Sequence, residues 1–272
     1  MSAVLHSGDG DLRFVRAGTR TVVHTARARS PLRLLLPNNH GDASWVYLAS
    51  LGGGLVDGDA VSLSVDVEPG ASALLGTQAS TKVYRSPGGT RQSLRANVAS
   101  GALLAVVPDP VSCFAGARYT QDLRVHLQDD SASLVLVDAF TCGRAARGER
   151  WELARYASRT RIWRGDRLLA VDSVLLDPAH GPLPARMGAF DAFATVIAVG
   201  PRAADVHARI LAAAPSTSAG DAGRLQAVTA LSSDAVLARI AATSARQVIA
   251  STRALVEPLT RALGDDPFAR RW

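Results

Sequence analysis

Residues 52–85 read GGGLVDGDAVSLSVDVEPGASALLGTQASTKVYR, and the alternation inside this stretch decides the fold class. Val61, Leu63, Val65 and Val67 alternate with Ser62, Ser64, Asp66 and Glu68, the period of two that marks a strand with one face buried and one face wet. Pro69-Gly70 supplies a turn, proline presetting φ at one corner and glycine taking positive φ at the next. A second apolar segment, residues 71–76, then runs into the polar string Thr77-Gln78-Ala79-Ser80-Thr81-Lys82-Val83-Tyr84-Arg85. The stretch is expected to form a β-meander that ends by delivering a dense set of polar side chains, and function is to be sought there.

Working outward, short apolar runs at residues 12–15, 21–24, 32–36 and 45–51 suit strands, because β-branched residues are frequent and the runs are brief. Leu123, Val125 and Leu127 repeat the alternation, and residues 133–138 are almost wholly apolar, as expected of a strand buried on both faces. Arg164-Gly165-Asp166-Arg167 is a two-residue hairpin with glycine first. Residues 193–199 read as the last strong strand. Beyond Pro201 the period changes: residues 204–214 are alanine-rich and helical, and residues 215–223 form a loop. Ser233 and Asp234 are placed to cap a long helix with apolar positions Val236, Ile240, Ser244 and Val248, which Glu257-Pro258 ends or kinks. The reading is a mainly β protein: one domain, with a β body over about residues 1–200 and a helical C-terminal appendage over about residues 202–264.

Composition narrows the function classes. The 272 residues are 47% hydrophobic and 20% charged, ordinary for a globular chain and not for a disordered one. The formal charge of +6 rests almost wholly on arginine, Lys82 being the only lysine. Arginine suits carboxylate-rich partner surfaces, whereas the low aromatic content, 5%, leaves few platforms for stacking bases, so nucleic acid is not the expected partner. Cys113 and Cys142 are expected to be reduced thiols. The amino terminus lacks a basic start and an apolar core of the signal-peptide kind, and no apolar run is long enough to span a bilayer. The expected location is cytoplasmic, with no membrane association.

GGGLVDGD followed by TQASTKVYR resembles the signature of the urease accessory protein family UreD, also called UreH. PDPVSCFAGARYTQ at residues 108–121, DAFTCGRAARGE at residues 138–149 and the terminal Arg271-Trp272 extend the resemblance over nearly the whole chain. Asp57 stands where glycine is common in the family. The resemblance implies a two-layer, β-helix-like arrangement of strands with a small helical part. It also implies a non-enzymatic scaffold that docks an accessory complex on apo-urease for GTP-dependent nickel insertion. The implied partners are apo-urease, a helical accessory protein of the UreF type and, through the complex, a GTPase of the UreG type.

The residues themselves add candidates. The glycine cluster at residues 52–54 lacks the lysine and hydroxyl of a P-loop, and no nucleophile elbow is present. The histidines, His6, His24, His40, His126, His180 and His207, are scattered singly, which disfavours a closed zinc site. No tightly bound cofactor is expected. If nickel passes through, weak oxygen ligands suit transit better than a His/Cys cage that would trap the ion, and Asp59, Asp138, Glu149 and Asp172 are the carboxylate candidates. Gln78, Thr81, Lys82, Tyr84 and Arg85 are candidates to line a polar passage or meet a partner, and Asp138, Arg144 and Glu149 to form an internal ion-paired network. The apolar face of the C-terminal helices is a further candidate docking element. Two readings from other classes stay open: a small-molecule-binding or hydrolytic β-protein, and a basic nucleic-acid binder.

Overall fold

The computed structural model describes residues 5–38, 41–213 and 223–268. His40, most of the 215–223 loop and Arg271-Trp272 lie outside the described residues. The strands are, in order, β1 (Asp9–Ala17), β2 (Arg20–Ala28), β3 (Leu32–Leu35), β4 (Ser44–Ser50), β5 (Ala60–Val67) and β6 (Ser72–Thr77). Next come β7 (Thr81–Val83), β8 (Thr90–Val98), β9 (Leu103–Val106), β10 (Val111–Cys113), β11 (Arg118–Leu127) and β12 (Ser133–Thr141). The remaining strands are β13 (Arg155–Arg164), β14 (Arg167–Leu176), β15 (Ala192–Val199), β16 (Arg224–Ser232) and β17 (Ala235–Ala242). Among the described residues there are four α-helices: α1 (Leu183–Met187), α2 (Ala204–Ala212), α3 (Ala245–Val256) and α4 (Leu259–Leu263).

Two sheets stack face to face. The outer, seven-stranded sheet has the order β14-β13-β11-β8-β5-β1-β2, and the middle, ten-stranded sheet runs β16-β17-β15-β12-β9-β6-β4-β3 with β10 and β7 attached through β12. Between β4 and β13 the chain winds from one sheet to the other and back. Each return lays a strand parallel to its predecessor: β5, β8, β11 and β13 in the outer sheet, and β4, β6, β9 and β12 in the middle one. The mainly β body expected from the sequence and the two-layer, β-helix-like arrangement implied by the resemblance are therefore present.

The meander expectation for residues 60–77 is corrected. β5 and β6 do not pair; Pro69-Gly70 is a corner between sheets, with Gly70 at φ +65°. Alternation along β5 reports one wet face and the unbroken apolar run of β6 reports two buried faces, but neither names the partner strand. Corners stack on one another, Gly70 N–H donating to Ser100 O at 3.0 Å and Gly101 N–H to Ser131 Oγ at 2.8 Å.

Away from its largely exposed edge strand β16 the middle sheet is buried on both sides. One side packs on the outer sheet through residues such as Leu63, Val65, Leu104, Val125, Leu134 and Ile162. The other side carries Trp45, Leu74, Val135, Val196 and Ile240 against the helices. Val248, Leu255 and Val256 of α3 and Leu259 and Leu263 of α4 are buried there, so the apolar helical face covers the protein's own sheet and is not a free docking element. The long helix expected after Asp234 is also corrected. Residues 235–242 form strand β17, next to the β16 edge of its sheet, Ser233-Asp234 is its hairpin turn, and of this stretch only residues 245–256 are helical, capped by Ser244, which accepts from Gln247 N–H. An alanine-rich run covered on both faces cannot be told from a buried helix by periodicity, and tertiary pairing overrides alanine's helix preference. No helix among the described residues is long and apolar enough to cross a membrane.

Candidate functional site

The four quoted motif segments converge at one end of the sandwich. β7 pairs in parallel with β10, Thr81, Lys82 and Val83 lying beside Val111, Ser112 and Cys113, and β10 pairs in turn with the end of β12. The glycine segment docks on β7 from the other side: Leu55 N–H donates to Lys82 O at 2.8 Å and Tyr84 N–H to Leu55 O at 2.9 Å. Gly54 is required for this approach, since a Cβ there would sit 2.7 Å from both Lys82 O and Tyr84 Cε2. Asp57 accepts from Gly88 N–H at 2.7 Å and Gly89 N–H at 3.1 Å, so its carboxylate pins the neighbouring turn.

Gln78, Lys82 and Arg85 are exposed at this end, and Thr81 and Tyr84 are half-buried. The Tyr84 ring meets Phe114 edge-on at 5.3 Å, and the Arg144 guanidinium sits 4.3 Å over the other ring's centre. Arg144 Nε donates to Glu149 Oε2 at 2.9 Å, and Ala115 N–H reaches the same oxygen at 3.3 Å. The hydrogen bond from Arg144 holds the Glu149 carboxyl below its ordinary range. Trp151, at φ +60°, is fixed beside this loop by its N–H to Cys142 O at 2.8 Å and its Nε1–H to Phe190 O at 3.1 Å. A bulky residue in the left-handed region persists only where its surroundings over-determine it.

Asp138 does not join Arg144 and Glu149 in one network. It points from β12 into the space between the sheets, where Gln121 Nε2 donates to its Oδ1 at 2.9 Å and Ser158 Oγ to its Oδ2 at 2.7 Å. The Tyr119 hydroxyl lies 2.8 Å from Gln121 Oε1 and 3.0 Å from Gln92 Oε1, donating to one at a time. Burial raises the Asp138 pKa, the bonds from Ser158 and Gln121 only partly offsetting it, and Asp172 raises it further. Asp172 is the second buried carboxylate between the layers, accepting from Thr195 Oγ1 at 3.0 Å and pairing with Arg239. Asp59 turns its carboxylate onto its own loop, accepting from Val56 N–H at 2.8 Å. Among the described residues no three His, Cys, Asp or Glu side chains gather as a metal group.

Two neighbouring spaces, which share Leu48, Val61, Thr77, Thr81 and Gln92 in their walls, lie between the exposed end and the buried carboxylate. One, of about 160 Å³, is walled by Gln78, Ser80, Thr81, Lys82 and Gln92. The other, of about 50 Å³, is walled mainly by aliphatic side chains such as Leu63, Leu75, Leu94, Val106 and Leu123, with Thr77, Thr81, Gln92, Gln121 and Asp138 among them. Thr77 and Asp109 brace its wall, Asp109 N–H donating to Thr77 Oγ1 at 2.8 Å. Gln92, Phe114, Tyr119, Gln121 and Ser158 belong to this candidate site and are not singled out by the sequence reading. Phe114, Tyr119 and Gln121 sit inside the quoted 108–121 motif, which was the available signal.

The chemistry of the site is polar but not nucleophilic. Burial pushes the Cys113 thiol up to about 12, and burial together with Asp191 takes Cys142 up to about 11, so neither is a thiolate near neutral pH. The Tyr119 and Tyr156 hydroxyls are likewise driven well above the ordinary range, by burial and then by Asp138.

A family model described as UreD urease accessory protein matches residues 6–272. The urease accessory protein UreD of Sorangium cellulosum (strain So ce56) is 54% identical over 266 residues, covering 98% of this chain and 85% of that protein. The UreD of Anaeromyxobacter sp. (strain Fw109-5) is 44% identical over 272 residues, 98% of this chain and 90% of that one. Urease accessory protein D of Oryza sativa subsp. indica is 39% identical over 207 residues, 74% and 67% of the two chains.

Two outcomes check this geometry. Gly54→Ala should destabilise the protein by about 1–3 kcal/mol in urea denaturation, because the new Cβ meets a backbone carbonyl that cannot yield. Asp138 has a raised folded pKa, so its contribution to stability is full at low pH and is lost as pH rises through that pKa. Asp138→Asn should therefore gain thermal stability relative to the unsubstituted protein as pH rises from about 4 to about 8; a relative loss over that range would contradict the assignment.

Proposed function

Since the chain belongs to the UreD family of urease accessory proteins, and so serves urease maturation, we propose that it does so as a non-enzymatic scaffold. It docks the accessory assembly on apo-urease and shelters nickel on its way to the active site. Its direct partners in this reading are apo-urease and a helical accessory protein of the UreF type. A GTPase of the UreG type joins through the complex and brings the ion.

The observation that carries the proposal is the convergence of the four motif segments on one end of the sandwich, with a mainly apolar space, marked by a few polar side chains, leading inward from it. Gln78, Lys82, Tyr84 and Arg85 offer partner contacts there, and the Arg144–Glu149 pair and Phe114 stiffen the loop behind them. Thr81, Gln92, Gln121 and Asp138 line the space with oxygen and amide groups. Such ligands hold nickel weakly enough to let it pass, as thiolates and imidazoles would not. Asp59 and Asp172 stand off this route, one in its own turn and the other paired with Arg239. A scaffold of this kind needs no activated nucleophile, and the high thiol pKa values agree with that.

The test is co-expression with the urease structural and accessory genes. Lys82→Glu/Arg85→Glu, both exposed, should retain the fold yet lose co-purification with apo-urease or the accessory partner and lower the nickel content of the enzyme by roughly tenfold or more. Full complex formation and full metallation with the double variant would contradict the proposal.

A further inference from the structure

The parallel register of the outer sheet collects arginines that lie far apart in sequence. The positions of β8, β11 and β13 that alternate with buried ones, and so face outward, include Arg91, Arg95, Arg118, Arg124, Arg155, Arg159 and Arg161. Against these seven the same positions hold one carboxylate, Asp122. Their surplus of six equals the formal +6 of the whole chain, so the rest of the protein is balanced.

Pairing makes the crowding specific. Arg95, Arg124 and Arg161 lie side by side on three neighbouring strands, and Arg118 lies beside Arg155. Adjacent strands are about 4.8 Å apart, and like charges directly opposite each other destabilise a sheet. Asp122 relieves part of this, accepting from Arg124 Nε at 2.8 Å and from Arg161 at 2.7 Å. Burial opposes the ionised form of Asp122, but the bonds from Arg161 and Arg124 hold its carboxyl below the ordinary range. Arg91, Arg95 and Arg159 are exposed and have no carboxylate partner among the described residues.

The border of this face is aliphatic. On the edge strand β14, Val171 lies beside Arg161, Leu168 beside Trp163 and Leu175 beside Ala157. They are 53%, 48% and 42% exposed. Next to them His126 stacks on Trp163 at 4.5 Å, and the Arg161 guanidinium sits 5.8 Å from the Trp163 ring. Arginine mixed with exposed aliphatic side chains on a flat sheet is the composition of a protein–protein contact. A nucleic-acid surface would offer several stacking platforms or an element that enters a groove, whereas this face has the single His126–Trp163 stack on a sheet.

We propose that the outer face of the seven-stranded sheet, centred on the Arg95–Arg124–Arg161 row and edged by Leu168, Val171 and Leu175, is a docking surface for a carboxylate-rich protein surface of the urease-maturation assembly. It adjoins the Lys82/Arg85 end, where Arg118 N–H donates to Ser86 Oγ at 2.9 Å, but its central row lies further along β8, β11 and β13. The identity of the assembly rests on the urease reading, whereas the class of partner rests on the geometry alone.

The experiment compares Arg91→Glu/Arg95→Glu/Arg159→Glu with the unsubstituted chain and with Arg29→Glu/Arg33→Glu/Arg246→Glu, exposed arginines outside the face that change the net charge equally. Each is co-expressed with the urease structural and accessory genes, purified at low and high salt, and checked for an unchanged melt. The face variant should lose roughly tenfold or more of at least one co-purifying protein at low salt, while the control variant keeps it. Equal recovery of every component with the face variant would overturn the proposal, as would equal loss with the control. If the unsubstituted chain recovers no urease component, the urease reading fails. The geometric claim is then decided by titration with poly-L-glutamate and with single-stranded DNA of matched charge. Tighter binding of poly-L-glutamate that the face variant alone loses sustains it, and tighter binding of DNA, or no difference among the variants, overturns it.

Discussion

The structure depends on one constraint: the middle sheet must be covered on both faces. Leu134 and Leu136 of β12 point to the outer sheet and Val135 and Val137 to the helical side, so consecutive residues of one strand belong to different cores. A parallel coil answers this requirement, since each turn of chain adds one strand to each layer and leaves no polar backbone between them. Asp138 is the exception, a carboxylate at a position where the pattern calls for an aliphatic side chain. It is tolerated because Gln121 and Ser158, delivered by two strands of the facing sheet, satisfy both of its oxygens.

From that constraint the placement of both candidate surfaces follows. The coil brings the same end of each turn to the same place, so the loops after β4, β6, β9 and β12 gather around the short strands β7 and β10. It also aligns the outward positions of successive outer strands, turning arginines at 95, 124 and 161 into neighbours. A hairpin-built sheet would have interleaved opposite chain directions and scattered both sets.

Much of the fold was legible in the sequence, and the losses have physical reasons. The alternation in β5 and β11 reported half-buried strands correctly, and the apolar run of β12 reported burial on both faces. What periodicity cannot report is the partner: Pro69-Gly70 serves a hairpin and an inter-sheet corner equally well. β17 was misread because alanine, valine and isoleucine at 235–242 satisfy a buried helix and a buried strand alike. In the site, Lys82, Tyr84 and Arg85 were visible because polar groups crowded one segment. Gln92, Tyr119 and Ser158 were not, because their meaning arises only when strands beginning at 90, 118 and 155 are laid against β12. The arginine face escaped for the same reason, its members looking evenly spread until the register is known.

Hydrogen exchange on the intact chain tests the central claim, that a stiff coil presents its motif end to macromolecular partners. Addition of apo-urease together with the accessory partner should slow exchange at amides of residues 77–91 and 111–121 and leave β17 and α3 unchanged. Protection confined to the helices, with the motif end exchanging as in the free protein, would contradict the account.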